Sequence, residues 1–259
     1  MKRSLVVAAA LLAASAIHAQ TVGYKAPRTG GNPDLQGIWQ ARTTADSALE
    51  THGAAGGISA GQGIVVDPAD GKIPYKPEAA ERRKQNFENR ATADPLNKCF
   101  LPGVPRINYM PYPFQIFQTP KYVLMAYEYD HATRTIPLDG SKHLEDLDLW
   151  MGDSRGHWEG DTLVVEVADN IDQTWFDLAG DFHSGALKLT ERYTRTGPDM
   201  LQYEATIDDP KVFTKAWKIR TPLYRHTEKN AQLYEYECHI YLEEAASKKQ
   251  NAPQNAAKK

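Results

Sequence analysis

The sequence predicts a mainly β protein, in which an antiparallel meander closes as a barrel of about eight to ten strands behind an irregular N-terminal arm and one helix. From residue 114 onward, short runs rich in Val, Thr, Tyr, Trp and Ile follow one another at a fairly even spacing. Tight-turn sequences such as Gly197-Pro198-Asp199 separate these runs. Because many antiparallel strands in an open sheet would expose unpaired edges, closure into a barrel is the economical arrangement.

Residues 1–19 are typical of a secretory signal peptide. Lys2 and Arg3 precede an apolar run from Leu5 to Ala16, and Ala19 offers a small residue at the cleavage point. The run is shorter than the roughly 20 apolar residues of a membrane span, and no later segment approaches that length. We therefore expect a periplasmic or secreted protein without a transmembrane segment.

Residues 20–113 are predicted to form an extended arm, a Gly-rich loop and one helix packed on the barrel. Closely spaced prolines and glycines exclude regular structure at the start of the arm, and a first short strand is predicted over residues 35–39. The Gly-rich loop over 54–63 does not lead from a strand into a helix, so we predict no bound phosphate and no cofactor. The helix is predicted to begin at Pro77 and to end near Arg90.

Residues 114–244 are predicted to form the barrel, and residues 245–259, which lack core residues, a disordered tail. Period-two alternation and turn residues delimit the strands. The strands are predicted over residues 114–118, 122–129, 133–138, 155–159, 162–167, 186–195, 201–207, 215–224 and 232–241.

Charge and cysteine content narrow the partners and the compartment. The chain has 30 Lys and Arg against 33 Asp and Glu, so it lacks the basic excess of nucleic-acid-binding proteins, and we expect a small-molecule ligand instead. The oligomeric state is left open. An even number of cysteines in an exported chain favours a disulfide between Cys99 and Cys238 over two unpaired core thiols.

The first candidate for chemistry is Glu191. It lies between Leu189 and Tyr193 on the apolar side of an alternating strand, so its side chain is predicted to point inward. A buried carboxylate must be protonated, paired with a cation or facing a water-filled cavity. The alternatives are a structural ion pair or a strand end that twists outward.

His183 and Arg134 complete the predicted catalytic set. His183 has the same alternation as Glu191, but eight residues of strand would place them roughly 26 Å apart, so His183 is expected at the barrel mouth. There it would exchange protons or orient the substrate. Arg134 is predicted to stabilise an anion or to pair with an inward carboxylate.

Aromatic side chains are predicted to line the ligand site. The second inward line, from residue 123 to 131, places Tyr127, Tyr129 and His131 toward one end of the barrel. Tyr193 and Trp158 complete the predicted lining. The alternative for the tyrosines is a role as core residues with polar tips.

Two further motifs carry weaker signals. Ser154 lies at the centre of a G-x-S-x-G pattern, but the flanking sequence reads as strand, turn and strand, whereas a nucleophile elbow joins a strand to a helix. His143 is close to Glu145, Asp146 and Asp148, without the paired His or Cys spacing of a zinc site. We predict no metal there and favour a solvated loop, with a weak calcium site as the alternative.

Several segments resemble known families. Gly37-Ile38-Trp39 and Gly156-His157-Trp158 resemble the G-x-W motif of lipocalin-type barrels, in which the Trp plugs the closed end. A larger set resembles a large family of secreted proteins from environmental bacteria, and the resemblance covers most of the mature chain. It implies export and a β-rich, lipocalin-like barrel, and it implies no activity. The segments of this set are 73–75, 102–106, 151–166, 183–184, 190–192 and 207–210.

Three functional hypotheses follow. The leading one is a barrel that holds a small, partly aromatic molecule in its interior. The alternative is a cofactor-independent lyase, isomerase or hydrolase that uses the inward Glu, His and Arg set. A third is a structural protein of the cell envelope, which a barrel interior filled with side chains would favour.

Overall fold

The computed structural model describes residues 24–55 and 58–250. The predicted signal peptide and residues 251–259 of the predicted tail lie outside the described residues. The described elements are β1 (Arg28–Thr29), β2 (Asn32–Pro33), β3 (Gly37–Ala41), β4 (Val65–Asp67), α1 (Pro77–Ala93), β5 (Phe114–Gln118), β6 (Tyr122–Tyr127), β7 (Thr133–Pro137), β8 (Asp153–Glu159), β9 (Thr162–Ala168), β10 (Lys188–Gly197), β11 (Met200–Asp208), β12 (Trp217–Arg225) and α2 (Cys238–Gln250).

One antiparallel sheet dominates the fold, which confirms the predicted mainly β class. Its strands follow the order β7-β6-β5-β3-β12-β11-β10-β9-β8, and the short β4 pairs with β12 beside β3. The sheet curls into a nearly closed barrel. The meander is interrupted once, because β3, from the N-terminal third of the chain, lies between β5 and β12.

The barrel closes through side chains at the seam, the name used here for the line where β7 meets β8. In the described residues, no backbone ladder joins these two strands. Gly156 on β8 lies so close to β7 that a Cβ atom there would be 2.7 Å from Cγ2 of Ile136. Farther along the seam, Nε of Arg134 donates a hydrogen bond of 2.8 Å to Oγ of Ser154. The backbone of β8 therefore lies close against side chains of β7 at the Gly156 end of the seam, and polar side chains join the two strands at the Ser154 end.

Strand alternation sorts the side chains into an interior and an exterior set. Along β10, residues at odd positions from 189 to 197 are buried, while even positions are partly or fully exposed. Large aromatic side chains from both strands and connecting loops pack in the core beside aliphatic ones. The largest fully buried aromatic side chains are Trp39, Tyr109, Phe114, Phe176, Tyr193, Tyr203, Phe213 and Trp217.

Helix α1 begins at Pro77, as predicted, and ends at Ala93, about one turn beyond the expected end. It packs against the loop between β9 and β10. Nδ2 of Asn86 donates a hydrogen bond of 3.1 Å to the carbonyl of Gly180, and a Cβ atom at Gly180 would lie 2.7 Å from the backbone N of Phe87. Glycine at position 180, with φ of +85°, therefore permits this close approach.

The C-terminal segment differs from the prediction. The predicted strand over residues 232–241 is wrong, because helix α2 begins at Cys238 and runs to Gln250 through the first part of the predicted disordered tail. Aromatic residues in this segment mimic a strand pattern, whereas the following Glu, Ala and Lys residues favour helix. Neither described helix is long and apolar enough to cross a membrane.

The predicted disulfide is confirmed. Cys99 and Cys238 are bonded, with their Cα atoms 5.5 Å apart, across 139 positions of sequence. Cys99 follows the short 3-10 turn Pro95–Lys98. The bond therefore anchors the first residue of α2 to the segment that leads into the barrel.

Candidate functional site

Glu191 lies at the centre of a buried polar network inside the barrel. Its exposure is 0%, so the predicted inward position is confirmed. Nη2 of Arg134 donates to Oε2, which makes the pair a buried salt bridge. Oε1 accepts hydrogen bonds from Nδ2 of Asn108 at 2.8 Å, from the hydroxyl of Tyr203 at 2.7 Å and from the hydroxyl of Tyr193 at 3.2 Å. A buried carboxylate is expected to be protonated, paired with a cation or facing a water-filled cavity. The structure shows the carboxylate of Glu191 paired with a cation.

Separate parts of the chain supply this network. Tyr193 on β10 and Tyr203 on β11 are register partners, so their rings lie side by side with centroids 5.0 Å apart. Asn108 ends the 3-10 turn Arg106–Asn108, and its Oδ1 also accepts a hydrogen bond of 2.9 Å from Tyr127. Sequence reasoning missed Asn108, because an isolated Asn among prolines resembles an ordinary loop residue.

The network favours fixed protonation states. Burial raises the pKa values of Tyr193 and Tyr203, and the nearby Glu191 carboxylate raises them further, so both hydroxyls stay protonated donors. For Arg134, burial lowers the pKa, but the charge and hydrogen bond of Glu191 together with the nearby Tyr193 and Tyr127 outweigh this effect, and the pKa is raised. Arg134 and Glu191 are therefore held as an ion pair that fixes the guanidinium in one position.

Arg134 belongs both to this network and to the residues that line a cleft at the seam. Its Nη2 pairs with Glu191 and its Nε with Ser154, but Nη1 is buried without a hydrogen-bond partner among the described residues. Arg134 and Ser154 both line a cleft of about 380 Å³, called the seam cleft below. Its lining also includes Leu101, Thr133, Thr135, Leu149, Trp150, Met151, Gly152 and Asp153.

The structure does not bring His183 into the predicted catalytic set. His183 is 1% exposed, its Nδ1 contacts the carbonyl of Ser184 at 3.0 Å, and its Nε2 contacts Oγ1 of Thr174 at 2.7 Å. In the described residues it shares no hydrogen-bond partner with Glu191 or Arg134. Burial lowers its pKa, which favours a neutral imidazole. It is a buried side chain of the loop before β10, without the open mouth position expected of a proton exchanger.

Two of the predicted ligand-binding residues lie away from the Glu191 network. Strand β6 ends at Tyr127, and the turn that follows breaks the alternation, with φ of +51° at His131. His131 is consequently exposed and pairs with Glu237 at 2.7 Å, so its predicted inward position is wrong. Tyr129 is buried in another cluster, where its ring stacks on that of Tyr236 with centroids 5.2 Å apart.

The other predicted ligand-binding residues have structural contacts. Tyr127 and Tyr193 belong to the network around Glu191, as core residues with polar tips. Trp158 packs partly buried against the core, four residues beyond Ser154 and thus about 13 Å along β8. It lies outside the seam cleft, whose aromatic lining residue is Trp150.

Ser154 is not the nucleophile of an elbow. It lies within β8, the second residue of the strand, and its Oγ accepts a hydrogen bond from Arg134 instead of contacting a His. The expectation from the flanking sequence is confirmed. Ser154 acts here as a polar lining residue whose hydroxyl proton is directed away from Arg134.

His143 lies beside acidic residues other than those expected. Glu145, Asp146 and Asp148 are exposed. His143 instead joins Asp153 and Asp169, and in the part of the chain that the structure describes these three form the one group of candidate metal ligands. Asp153 also lines the seam cleft, so the group adjoins it.

Comparisons with known proteins identify no family. A scan against protein-family models finds no match, and a search of curated proteins finds no matching relative. The resemblance to secreted proteins of environmental bacteria therefore stays a prediction.

Proposed function

We propose that this protein is an exported binding protein for a small, partly aromatic molecule that carries a carbonyl or carboxylate oxygen. The barrel interior is filled by side chains, which by itself favours the structural alternative over a ligand held inside the barrel. The ligand is instead placed in the seam cleft, which is open and lined by polar and apolar residues. One observation carries the proposal: Nη1 of Arg134 is a buried donor without a hydrogen-bond partner among the described residues, and Arg134 is one of the residues that line the cleft. Burying a hydrogen-bond donor without a partner costs free energy. A ligand oxygen that accepts a hydrogen bond from Nη1 removes this cost, which makes binding more favourable.

The rest of the lining fits such a ligand. Trp150 offers an aromatic face, and its ring already contacts that of Phe100 with centroids 4.8 Å apart. Leu101 adds apolar surface, and Ser154 adds a hydroxyl. A mixture of apolar walls and a few fixed polar groups is typical of small-molecule sites.

The buried ion pair prepares the site for binding. Glu191 and Ser154 hold the guanidinium of Arg134 from two directions, so the ligand does not have to order a flexible arginine. Since Glu191 balances the charge of Arg134, a neutral carbonyl fits as well as a carboxylate. The feature that selects among ligands in this proposal is the N–H donor at Nη1 of Arg134, whose guanidinium is held in one orientation.

Two features that are typical of exported proteins support this role. The N-terminal sequence resembles a signal peptide, and a disulfide is retained most readily in an oxidising compartment. Binding outside the cytoplasm would place the seam cleft in contact with molecules in the periplasm or the medium.

Calorimetric titration with 2-naphthoate and 2-naphthamide tests the proposal. We expect saturable binding of at least one probe, weakened about tenfold or more by Arg134→Lys, because one hydrogen bond of about 1.4 kcal/mol is lost. The matched control is Arg220→Lys, on an exposed arginine that pairs with Glu204, and it should leave binding unchanged. Absence of saturable binding, or equal binding by the Arg134→Lys variant, would overturn the proposal.

A further inference from the structure

Three segments of the chain converge beside the polar end of the seam. Asp153 is the first residue of β8 and pairs in register with Ala168, so Asp169 follows directly alongside it. His143 belongs to the loop between β7 and β8. The end of this loop is fixed, because the N–H of Leu149 donates to the carbonyl of Asp169 at 2.8 Å. The backbone thus holds two of the three residues, Asp153 and Asp169, side by side.

The distances between these side chains match a shared ion. One ligand atom from each of His143, Asp153 and Asp169 lies within 4.8 Å of the others, and Nδ1 of His143 is 2.9 Å from Oδ2 of Asp153. Two ligand atoms on a tetrahedral ion, each 2.0–2.1 Å from it, are about 3.3 Å apart. Small side-chain movements therefore suffice for coordination.

Asp169 supplies an independent reason to expect a cation. Its Oδ2 is buried and accepts no hydrogen bond among the described residues. A carboxylate oxygen removed from water requires a proton or a cation as compensation. Asp169 is partly exposed as a residue and belongs to the three-residue group, so a cation bound there would compensate the charge of its carboxylate.

A hydrogen bond from Arg155 fixes the orientation of the Asp153 carboxylate. Its Nη1 donates to Oδ1 of Asp153 at 2.7 Å, while Oδ2 is directed toward His143 and also accepts a hydrogen bond of 3.2 Å from the N–H of Leu144. Metal-binding carboxylates are commonly held by such outer hydrogen bonds, which fix their orientation. The salt bridge is thus compatible with a ligand role for Asp153.

We propose that His143, Asp153 and Asp169 form a binding site for a divalent transition metal ion, with Zn²⁺ as the best fit. One imidazole and two carboxylates suit this class of ion, and three protein ligands leave a further coordination position for water or a ligand. Asp153 lines the seam cleft next to Ser154, so this position adjoins the proposed ligand site. The metal site does not depend on that proposed function.

Calorimetric titration of the untagged, EDTA-treated protein with Zn²⁺ tests this inference. We expect one ion per chain, with the affinity reduced at least tenfold in both His143→Ala and Asp169→Asn. The matched control is His157→Ala, on an exposed histidine that pairs with Glu159, and it should retain the wild-type affinity. Asp169→Asn preserves the side-chain shape, and its circular dichroism spectrum checks that it folds.

Co²⁺ substitution gives a second readout. Binding at this site should produce visible absorption bands that disappear in His143→Ala and persist in Arg134→Lys. Binding of much less than one Zn²⁺ per chain would overturn the proposed metal site. An equal loss of affinity in the His143→Ala and His157→Ala variants would do the same. Persistence of Zn²⁺ binding in Arg134→Lys separates this result from any failure of the proposed ligand function.

Discussion

At the scale of single residues, the barrel interior depends on charge compensation. Glu191 and Arg134 are almost completely removed from water, and each is the counter-charge of the other. A buried ion pair contributes little to the free energy of unfolding compared with an apolar replacement of similar volume. The loss of one partner alone, however, leaves an uncompensated buried charge. The network is therefore sensitive to any change that removes one charge alone.

Glu191→Gln should reduce the free energy of unfolding by about 3–5 kcal/mol, because Arg134 would remain charged and buried without its partner. Urea unfolding followed by tryptophan fluorescence measures the change. The control is Glu204→Gln, which breaks the more exposed pair with Arg220 and should cost much less. Equal costs for the two variants would show that the buried pair is not the sensitive element.

His183 provides a pH-dependent test at the same scale. Because burial lowers its pKa, the unfolded state takes up a proton near pH 6.5 while the folded state resists it. The stability linked to His183 is thus present above about pH 6.5 and is lost as the pH falls, with a slope of at most about 1.4 kcal/mol per pH unit. His183→Gln should flatten the dependence between pH 7 and 5. Parallel curves for the two proteins would contradict the role of burial.

At the scale of elements, the seam is where a curled sheet becomes a barrel. Gly156 permits β8 to approach β7, since a Cβ atom would meet Ile136 at 2.7 Å and Leu138 at 2.8 Å. Alternation in the sequence predicted which residues of the strands point inward, including Glu191. It could not predict this close contact, because β7 and β8 are joined by a loop without a regular pattern.

Gly156→Ala should destabilise the protein by about 1–3 kcal/mol, the usual cost of overpacking, because the added methyl group pushes the two strands apart. Chemical denaturation gives the value. Gly185→Ala is the matched control, because its added Cβ would have no atom closer than 3.6 Å and its backbone is not in the left-handed region. If the Gly156→Ala variant is as stable as this control, the close approach of β7 and β8 at Gly156 is not needed for stability and the prediction is wrong.

At the scale of the whole molecule, local patterns predicted the barrel, the inward Glu191 and Arg134 as a partner for an inward carboxylate, but not the rest of the site. Strand alternation is a local property, so the class and most strands were predictable. The site combines Asn108 from a Pro-rich segment, Arg134 from β7 and Glu191 from β10, and only long-range packing brings these together. The same holds for β3, which enters the sheet between strands that follow it by more than seventy residues.

The error at the C-terminal end has the same origin. Residues 232–241 have a strand-like composition, but they cannot continue the meander beside the preceding strand, since β12 is already paired on both sides. The segment instead packs its tyrosines, among them Tyr236 on Tyr129, and continues into α2. The pairing of β12 with β3 is a long-range contact, and no local pattern records it.

The most direct test of the central claim is a high-resolution crystal structure with 2-naphthoate. We predict that the naphthyl ring lies against Trp150 in the seam cleft and that a carboxylate oxygen accepts a hydrogen bond from Nη1 of Arg134 at about 2.7–2.9 Å. The salt bridge between Arg134 and Glu191 should persist in the complex. A ligand bound elsewhere, or an Nη1 satisfied by an ordered water in the presence of saturating 2-naphthoate, would contradict the account.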